Sequence, residues 1–359
     1  MNVLTSITVL GLLIFFHEMG HFLAAILQGI SVDGFSIGFG PSIIKKKYNN
    51  ITYSLRAFPL GGFVSFPDED KNDVNSNDPN LLKNRPIFQR IIVISAGVIA
   101  NLVLAYAILI FNASTLGIPY DPEPGILVLA IQPEKAAFQA GLQKGDKILG
   151  INQKVLGVGD VAVSELVKDI QSSSGKKLII SIDRDGNYKD LNLIPEDKSG
   201  KGTIGAQLQP NVRQDSYKTK NIIELINFSN KEFSSLLIKT IEGYRGLITN
   251  FSSTAQQLSG PVKIVEIGAQ LSEQGGNGIM LFAALISINL AVLNSLPLPL
   301  LDGGQLIFTL IEGLRGKPIP EKIQLAVTQS SFLLLVGLSV ILIIRDTSQL
   351  LVVQKLFNQ

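Results

Sequence analysis

Long hydrophobic runs without charged residues divide the chain into segments. Residues 91–120, 274–301 and 323–344 contain no Asp, Glu, Lys or Arg. Each run can supply the roughly 20 helical residues that cross a bilayer core about 30 Å thick. Residues 1–32 form a fourth apolar run, which holds a cluster of ionisable residues in its second half. The pattern therefore predicts four transmembrane helices.

The segment between the second and third runs has a different pattern. From about residue 125 to 207, short runs rich in β-branched residues alternate with turn residues, which is typical of strands. The predicted strands lie at residues 126–131, 147–151, 178–182 and 191–194, and one helical stretch covers residues 163–171. This segment is predicted to form a small α+β domain.

Residues 221–251 follow a helical pattern. Apolar side chains recur there at the spacing of one helix face, with Lys and Glu residues between them. An amphipathic helix that lies on the membrane or on the helix bundle is the expected structure.

Composition limits the class of protein. The 359 residues are 46% hydrophobic and only 17% charged, which argues against a cytosolic enzyme or a disordered chain. The formal net charge is +2, and the basic residues are not gathered into the face that nucleic acid would need, so we expect no nucleic-acid partner. The chain has no cysteine. A bound metal would therefore use imidazole, carboxylate or backbone oxygen ligands.

The distribution of basic residues predicts the orientation in the membrane. Lys and Arg near the ends of spans favour the cytoplasmic side. Eight basic residues lie between the first two spans and three between the last two, which places both loops in the cytoplasm. Residues 112–280 hold 18 basic and 18 acidic residues and are predicted to lie on the external side.

The two histidines of the chain lie close together in the first apolar run. They belong to the segment His17-Glu18-Met19-Gly20-His21, which matches the zinc-binding pattern HExxH. On a helix, residues four apart share a face, so both imidazoles can approach one metal ion. Glu18 points to one side of that face, which suits a general base. Hydrogen-bonded core imidazoles are the less favoured alternative, because three ionisable groups inside one span are costly unless they share a partner.

A third ligand is needed, because catalytic zinc usually takes three protein ligands and keeps one position open. Asp302 is the outstanding candidate, at the end of the third apolar run in the segment NSLPLPLLDGG. Pro297 and Pro299 must interrupt the helix there, and irregular backbone at membrane depth is tolerated when it is buried or lines a cavity. A plain helix end with a solvated Asp302 is the alternative.

These motifs resemble those of the site-2 protease family of intramembrane zinc metalloproteases, specifically its bacterial and plastid members with a PDZ domain. HEMGH matches the HExxH of the family, and NSLPLPLLDGG matches its Asn-x-x-Pro-x-Pro-x-x-Asp-Gly pattern. Residues 38–41 and 59–63 resemble the membrane-associated β-hairpin of the family, and residues 134–152 are similar to its PDZ signature. The resemblance covers nearly the whole chain.

The resemblance implies an intramembrane zinc metalloendopeptidase that cleaves transmembrane segments of membrane proteins. It implies that one Zn²⁺ ion is held by His17, His21 and Asp302, that Glu18 is the catalytic base, and that Asn294 holds the substrate backbone. Substrate binding is also expected at Gly61 and Gly62, in a hairpin edge with which an unwound substrate can pair.

Partners and location are implied in the same way. We expect single-span membrane-protein substrates in a lipid bilayer, with anti-sigma factors, membrane-tethered transcription factors and leftover signal peptides as candidates. An upstream site-1-type protease would trim them first, and the PDZ-like domain would act as a size filter. The location expected is a bacterial inner membrane or a plastid membrane, with several passes.

The predicted fold is a polytopic α-helical membrane protein of about four transmembrane helices, with a membrane-associated β-hairpin and an inserted α+β PDZ-like domain. Residues 1–112 would hold the first two spans, the HExxH motif and the cytoplasmic-side hairpin. The external PDZ-like domain would occupy residues 113–210, the amphipathic helix and linker residues 211–278, and the last two spans with the Asp302 motif residues 279–359.

Two other functions are compatible with parts of the sequence. One is a membrane-anchored PDZ scaffold with a structural or vestigial metal site, and the other is a metal transporter.

The chain also departs from many relatives at Gly97-Val98, ahead of Asn101, where they have Gly-Pro, and at Gln305, where they have His. Neither departure touches the proposed ligands.

Overall fold

The computed structural model describes two compact units. The first combines Met1–Thr115 with Asn221–Gln359, and the second is Leu116–Lys220, inserted into it. The described residues are 2–67, 78–198, 200–212, 216–249, 260–273 and 275–357.

The first unit consists of helices and one pair of strands. In chain order its elements are α1 (Asn2–Leu27), β1 (Gly34–Tyr48), β2 (Ile51–Ser65), α2 (Ile87–Leu116), α5 (Ile222–Thr249), α6 (Pro261–Glu273), α7 (Gly276–Asn294), α8 (Asp302–Arg315) and α9 (Glu321–Phe357).

The second unit holds the remaining elements. They are β3 (Ile118–Pro119), β4 (Ile126–Ile131), α3 (Ala136–Gln139), β5 (Lys147–Ile151), β6 (Lys154–Val155), α4 (Gly159–Ser172), β7 (Leu178–Arg184), β8 (Asn187–Leu193), β9 (Glu196–Lys198), β10 (Lys201–Thr203), β11 (Ala206–Pro210) and β12 (Ser216–Tyr217).

Four helices of the described chain are long and apolar enough to cross a membrane. They are Val3–Leu27, Ile87–Leu116, Gly276–Asn294 and Lys322–Arg345. Each predicted apolar run overlaps one of them. The third helix ends at Asn294, well before the apolar run itself ends, because two prolines follow and cannot continue a helix.

The hairpin formed by β1 and β2 curls so that its strands pair twice. Asn49 and Asn50 connect the strands with φ of 47° and 63°, as a two-residue type I′ turn requires. Gly34 pairs with both Thr52 and Ser65. The first residues of β1 therefore lie between the two ends of β2. Within the described chain, residues 62–65 pair with β1 alone, so their other edge is open.

Aromatic contacts attach this hairpin to α1. Phe35 of β1 is buried and meets Phe15 and Phe22 edge-to-face, with ring centroids 5.8 Å and 5.3 Å apart. Such pairs contribute about 0.5–1.5 kcal/mol each beyond the area they bury. The two α1 rings flank the turn that carries the histidines, so the hairpin is held beside that turn.

The second unit is built on a sheet with strand order β11-β4-β5-β7-β8, and β6 pairs with β5. The predicted strand runs coincide with β4 and β5 and overlap β7 and β8. Helix α4 buries Ala162, Leu166 and Ile170, which share one helix face, in the core of this unit. The unit begins a few residues later than the predicted domain and continues to Lys220.

Helix α5 covers most of the predicted amphipathic stretch, whereas the sequence pattern did not anticipate α6. Helix α6 lies in the part of residues 211–278 that the sequence predicts to be linker. Both belong to the first unit, together with the four long apolar helices.

Candidate metal centre

Helix α1 brings the two imidazoles together on one face. The Nε2 atoms of His17 and His21 are 3.3 Å apart, and the two rings meet edge-to-face with centroids 4.8 Å apart. The spacing of four residues produces this arrangement, because one helical turn separates the two side chains. His17 is buried, and His21 is largely buried.

Asp302 completes a cluster of three groups at the first residue of α8. Its Oδ2 atom lies 3.3 Å from Nε2 of His17 and 3.3 Å from Nε2 of His21. The chain between α7 and α8 is irregular over residues 295–301, as the prolines there predict. The break lets the chain turn back, so that the start of α8 approaches α1.

Two glycines after Asp302 allow this approach. A Cβ atom on Gly303 would collide with the carbonyl oxygens of Ser295 and Leu296. A Cβ atom on Gly304 would collide with the backbone of residues 298–299. The first turn of α8 therefore lies directly on the irregular segment, and only glycine fits at these two positions.

The cluster has the dimensions of a zinc site. All three distances between its ligand atoms are 3.3 Å. In a tetrahedral site with bonds of about 2.0–2.1 Å, two ligand atoms lie about 3.3–3.4 Å apart. The Oδ2 atom of Asp302 is buried and has no hydrogen-bond partner among the described residues. Two imidazoles and one carboxylate are also donors that suit zinc. The residues fit this metal.

Helix α2 packs against the histidines through a glycine. A Cβ atom on Gly97 would fall on Nε2 of His21 and lie 2.7 Å from Cε1 of His17. In the same way, Gly20 of α1 faces the backbone oxygen of Ala96, which would be 2.5 Å from an added Cβ. Small residues let two apolar helices approach this closely.

The outer nitrogens of both rings also face α2. Nδ1 of His21 lies 2.8 Å from the backbone oxygen of Val93. Nδ1 of His17 lies 3.4 Å from the amide of Asn101. One helix thus contacts the far side of both imidazoles.

Two more of the predicted site residues lie at the cluster. The amide nitrogen of Asn294, the last residue of α7, is 3.3 Å from Nε2 of His17. Glu18 faces β2, where a Cβ atom on Gly62 would lie 2.8 Å from its Cγ. The Glu18 side chain therefore packs against Gly62, in the strand whose other edge is open in the described chain.

Gly61 has a different environment from Gly62. Its φ is 102°, and a Cβ atom there would collide with the ring of Phe39 in β1. Gly61 therefore faces a residue of the hairpin itself, whereas Gly62 faces Glu18. The positive φ of Gly61 is one that favours glycine.

Sequence patterns missed the contribution of α2 to this centre. Gly97 and Asn101 were noted only because Val98, between them, replaces the proline of many relatives, and Val93 was not noted at all. A signal was present in their spacing, because Val93, Gly97 and Asn101 are four residues apart and lie on one helix face.

Comparisons with known proteins agree on one family. The sequence matches Peptidase family M50 over residues 5–338. A Nostoc protein named "Putative zinc metalloprotease" is 47% identical over 365 residues, which cover 100% of both chains. An Arabidopsis thaliana protein named "Membrane metalloprotease ARASP, chloroplastic" is 44% identical over 354 residues, which cover 97% of this chain and 79% of that protein.

One solved structure resembles part of the chain. The PDZ domain of a Listeria monocytogenes SdrC-like protein is 22% identical and covers 25% of this chain and 90% of its own, with a TM-score of 0.21. We infer no fold from a score this low.

Proposed function

This chain belongs to peptidase family M50 and is an intramembrane metalloprotease, and we propose that His17, His21 and Asp302 hold its zinc while Glu18 acts as the base. The equal spacing of the three ligand atoms, 3.3 Å in every pair, is the observation that supports this ligand set most directly. A single ion satisfies all three groups at once.

The base is placed by the same helix as two of the ligands. A bound zinc ion supplies Lewis acidity, which polarises a peptide carbonyl and acidifies a water molecule. The Glu18 carboxylate takes the proton from the attacking water and delivers it to the nitrogen of the leaving amine. Glu18 follows His17 directly in the sequence, and its side chain lies against Gly62 of the hairpin.

Substrate binding is proposed at the hairpin edge. A transmembrane helix hides its carbonyl groups in hydrogen bonds, so the substrate must unwind locally before it can be cut. The open edge at residues 62–65 can replace those hydrogen bonds by strand addition. The absent side chain of Gly62 leaves room for Glu18 beside this strand. Asn294 directs an amide toward His17 and can donate to a substrate carbonyl, and Gly61 shapes the strand.

The substrates are membrane proteins, as the family implies. We propose that they are single-span proteins already trimmed by an upstream site-1-type protease, such as anti-sigma factors, membrane-tethered transcription factors or leftover signal peptides. We also propose that the four long apolar helices all span the membrane, with the hairpin associated with its cytoplasmic side. The second unit is proposed to be a PDZ-like size filter on the external side.

Replacement of the base tests the proposal. We expect Glu18→Gln to lower cleavage of a single-span test substrate by roughly 10²–10⁴-fold, the contribution usual for a general base. Zinc content should stay at one ion per chain, because Glu18 is not a ligand. Glu242→Gln, an exposed position on α5, is the matched control and should cleave normally.

The same variant separates the enzyme from the scaffold alternative, which the comparisons do not favour. A Glu18→Gln protein that still cleaves would contradict the assignment of the base. A variant that loses its zinc would contradict the assignment of the ligands, because it would show that Glu18 holds the metal.

A further inference from the structure

One face of α2 is buried from Val93 to Ala113. Its buried residues recur at every fourth position: Val93, Gly97, Asn101, Ala105, Leu109 and Ala113. The first three meet the histidines of α1, Val93 at His21, Gly97 at both rings and Asn101 at His17. An inward-facing polar residue in this apolar stripe needs a physical reason, because a buried amide must be hydrogen-bonded.

A histidine that binds a metal through Nε2 needs its hydrogen on Nδ1. The neutral imidazole has one N–H group and one lone pair, so an acceptor at Nδ1 leaves Nε2 free for the metal. His21 has such an acceptor, because the backbone oxygen of Val93 lies 2.8 Å from its Nδ1. The partner that can do the same for His17 in the described chain is Asn101.

The amide of Asn101 can accept this hydrogen bond. Asn101 is fully buried, its Nδ2 lies 3.4 Å from Nδ1 of His17, and its Oδ1 has no partner among the described residues. Two N–H donors cannot bond to each other. Rotation of the amide by 180° about the Cβ–Cγ bond exchanges its two ends, which puts Oδ1 opposite the Nδ1–H group and satisfies both.

We propose that Asn101 is a positioning residue of the zinc centre, whose amide oxygen accepts a hydrogen bond from Nδ1–H of His17. This holds the ring with Nε2 directed at Asp302 and His21. The inference rests on the proposed zinc centre. Ser287 of α7 holds the same turn of α2 in place, because its hydroxyl donates to the backbone oxygen of Asn101 at 2.8 Å.

Spectroscopy of the ring N–H groups tests the hydrogen bond itself. The chain has only two histidines, so a full-length sample labelled with ¹⁵N-histidine, loaded with zinc and held in detergent has two ring systems to assign. We expect a downfield Nδ1–H proton for each ring. Asn101→Leu should move the His17 proton upfield and leave His21, which bonds to Val93, unchanged. Asn101→Asp should move it further downfield, because a charged acceptor makes a stronger bond.

Zinc affinity, measured by competition with a chelator, is the second readout. Asn101→Leu should weaken binding by about 10–100-fold, as loss of such a supporting hydrogen bond usually does. Asn101→Asp should restore most of the affinity. Ser95→Ala is the matched control, because the Ser95 hydroxyl donates to the backbone oxygen of Ile91 within α2 itself, and this variant should bind zinc as the wild type does.

The outcomes separate this inference from the function on which it rests. If the wild type binds zinc but the His17 proton and the affinity do not respond to Asn101→Leu, the assignment of Asn101 is wrong and the metal centre stands. If the wild type binds no zinc, the metal centre itself is wrong. If the Leu variant does not fold, the wild-type spectrum decides, because a His17 ring that ligates through Nδ1 would overturn the inference.

Discussion

At the residue scale, the proposed centre depends on absent side chains as much as on present ones. Gly97 leaves room for two imidazoles, Gly62 for Glu18, and Gly303 and Gly304 for the irregular segment before α8. None of these four glycines has a positive φ. Glycine is therefore required at these positions by the close approach of neighbouring atoms and not by the backbone conformation. Adding a single methyl group is therefore a specific probe of each contact.

Gly97→Ala should remove the metal. The new Cβ atom would fall on Nε2 of His21 and lie 2.7 Å from Cε1 of His17, so the ligand rings must move. Helix α2 itself should tolerate the change, since alanine favours a helix by about 1 kcal/mol over glycine. We expect less than one zinc ion per chain and little cleavage. Gly337→Ala in α9, where nothing lies within 4 Å, is the control. A Gly97→Ala enzyme with full zinc content would contradict the described packing.

Gly62→Ala should have the complementary effect. Its Cβ atom would lie 2.8 Å from Cγ of Glu18 and 2.9 Å from the backbone oxygen of Ser36, which disturbs the base and the strand but not the ligands. We expect normal zinc content together with a large loss of cleavage. Loss of zinc in this variant would show that the hairpin supports the metal rather than the substrate.

At the element scale, α2 and α8 are joined by an ion pair that lies outside the metal cluster. Nη1 of Arg90 donates to Oε1 of Glu312 at 2.8 Å, and the side chains are 17% and 23% exposed. Arg90 precedes the Val93 turn that contacts His21, and Glu312 belongs to the helix that begins with Asp302. The pair thus connects two elements that carry parts of the proposed zinc centre.

Arg90→Met should weaken both the fold and the zinc centre. Exposed ion pairs contribute up to about 1 kcal/mol, and breaking a buried pair costs about 3–5 kcal/mol. For this partly buried pair we expect a loss of about 2 kcal/mol in the free energy of unfolding, together with weaker zinc binding. The charge-exchanged double variant, Arg90→Glu with Glu312→Arg, should recover much of both in a double-mutant cycle. A coupling free energy near zero between the two positions would mean that this ion pair does not stabilise the contact between α2 and α8.

At the scale of the whole molecule, the two units separate the proposed centre from the insertion. Every residue of the centre belongs to the first unit. In the second unit, β3 pairs with β12, Ile118 with Tyr217 and Pro119 with Ser216, so the two ends of the insertion lie next to each other. A short connection can therefore replace the insertion without stretching the chain.

Replacement of Leu116–Lys220 by a short Gly/Ser linker should leave the metal in place. We expect one zinc ion per chain in the membrane-extracted deletion variant, and loss of that zinc after a further His17→Ala change. Zinc content measured by mass spectrometry checks both. A deletion variant that is folded yet metal-free would show that the insertion contributes to the centre.

Much of the architecture could be predicted because the responsible patterns are local. Apolar runs predicted where four long apolar helices lie, and alternating β-branched runs predicted the strands of the second unit. The HExxH spacing placed two imidazoles on one face, since one helical turn suffices for that. Helix α6 was missed, because a short amphipathic segment near Gly and Gln residues does not differ clearly from a linker.

The sequence by itself determined which groups were available for chemistry. With two histidines and no cysteine, the donors were settled by composition, and two prolines required the break before Asp302. Only the tertiary structure decided that Asp302 lies 3.3 Å from both Nε2 atoms and that Asn101 faces His17. The reason is physical: these contacts join segments far apart in the chain, and their distances depend on how closely glycine-bearing surfaces of α1, α2 and α8 can pack.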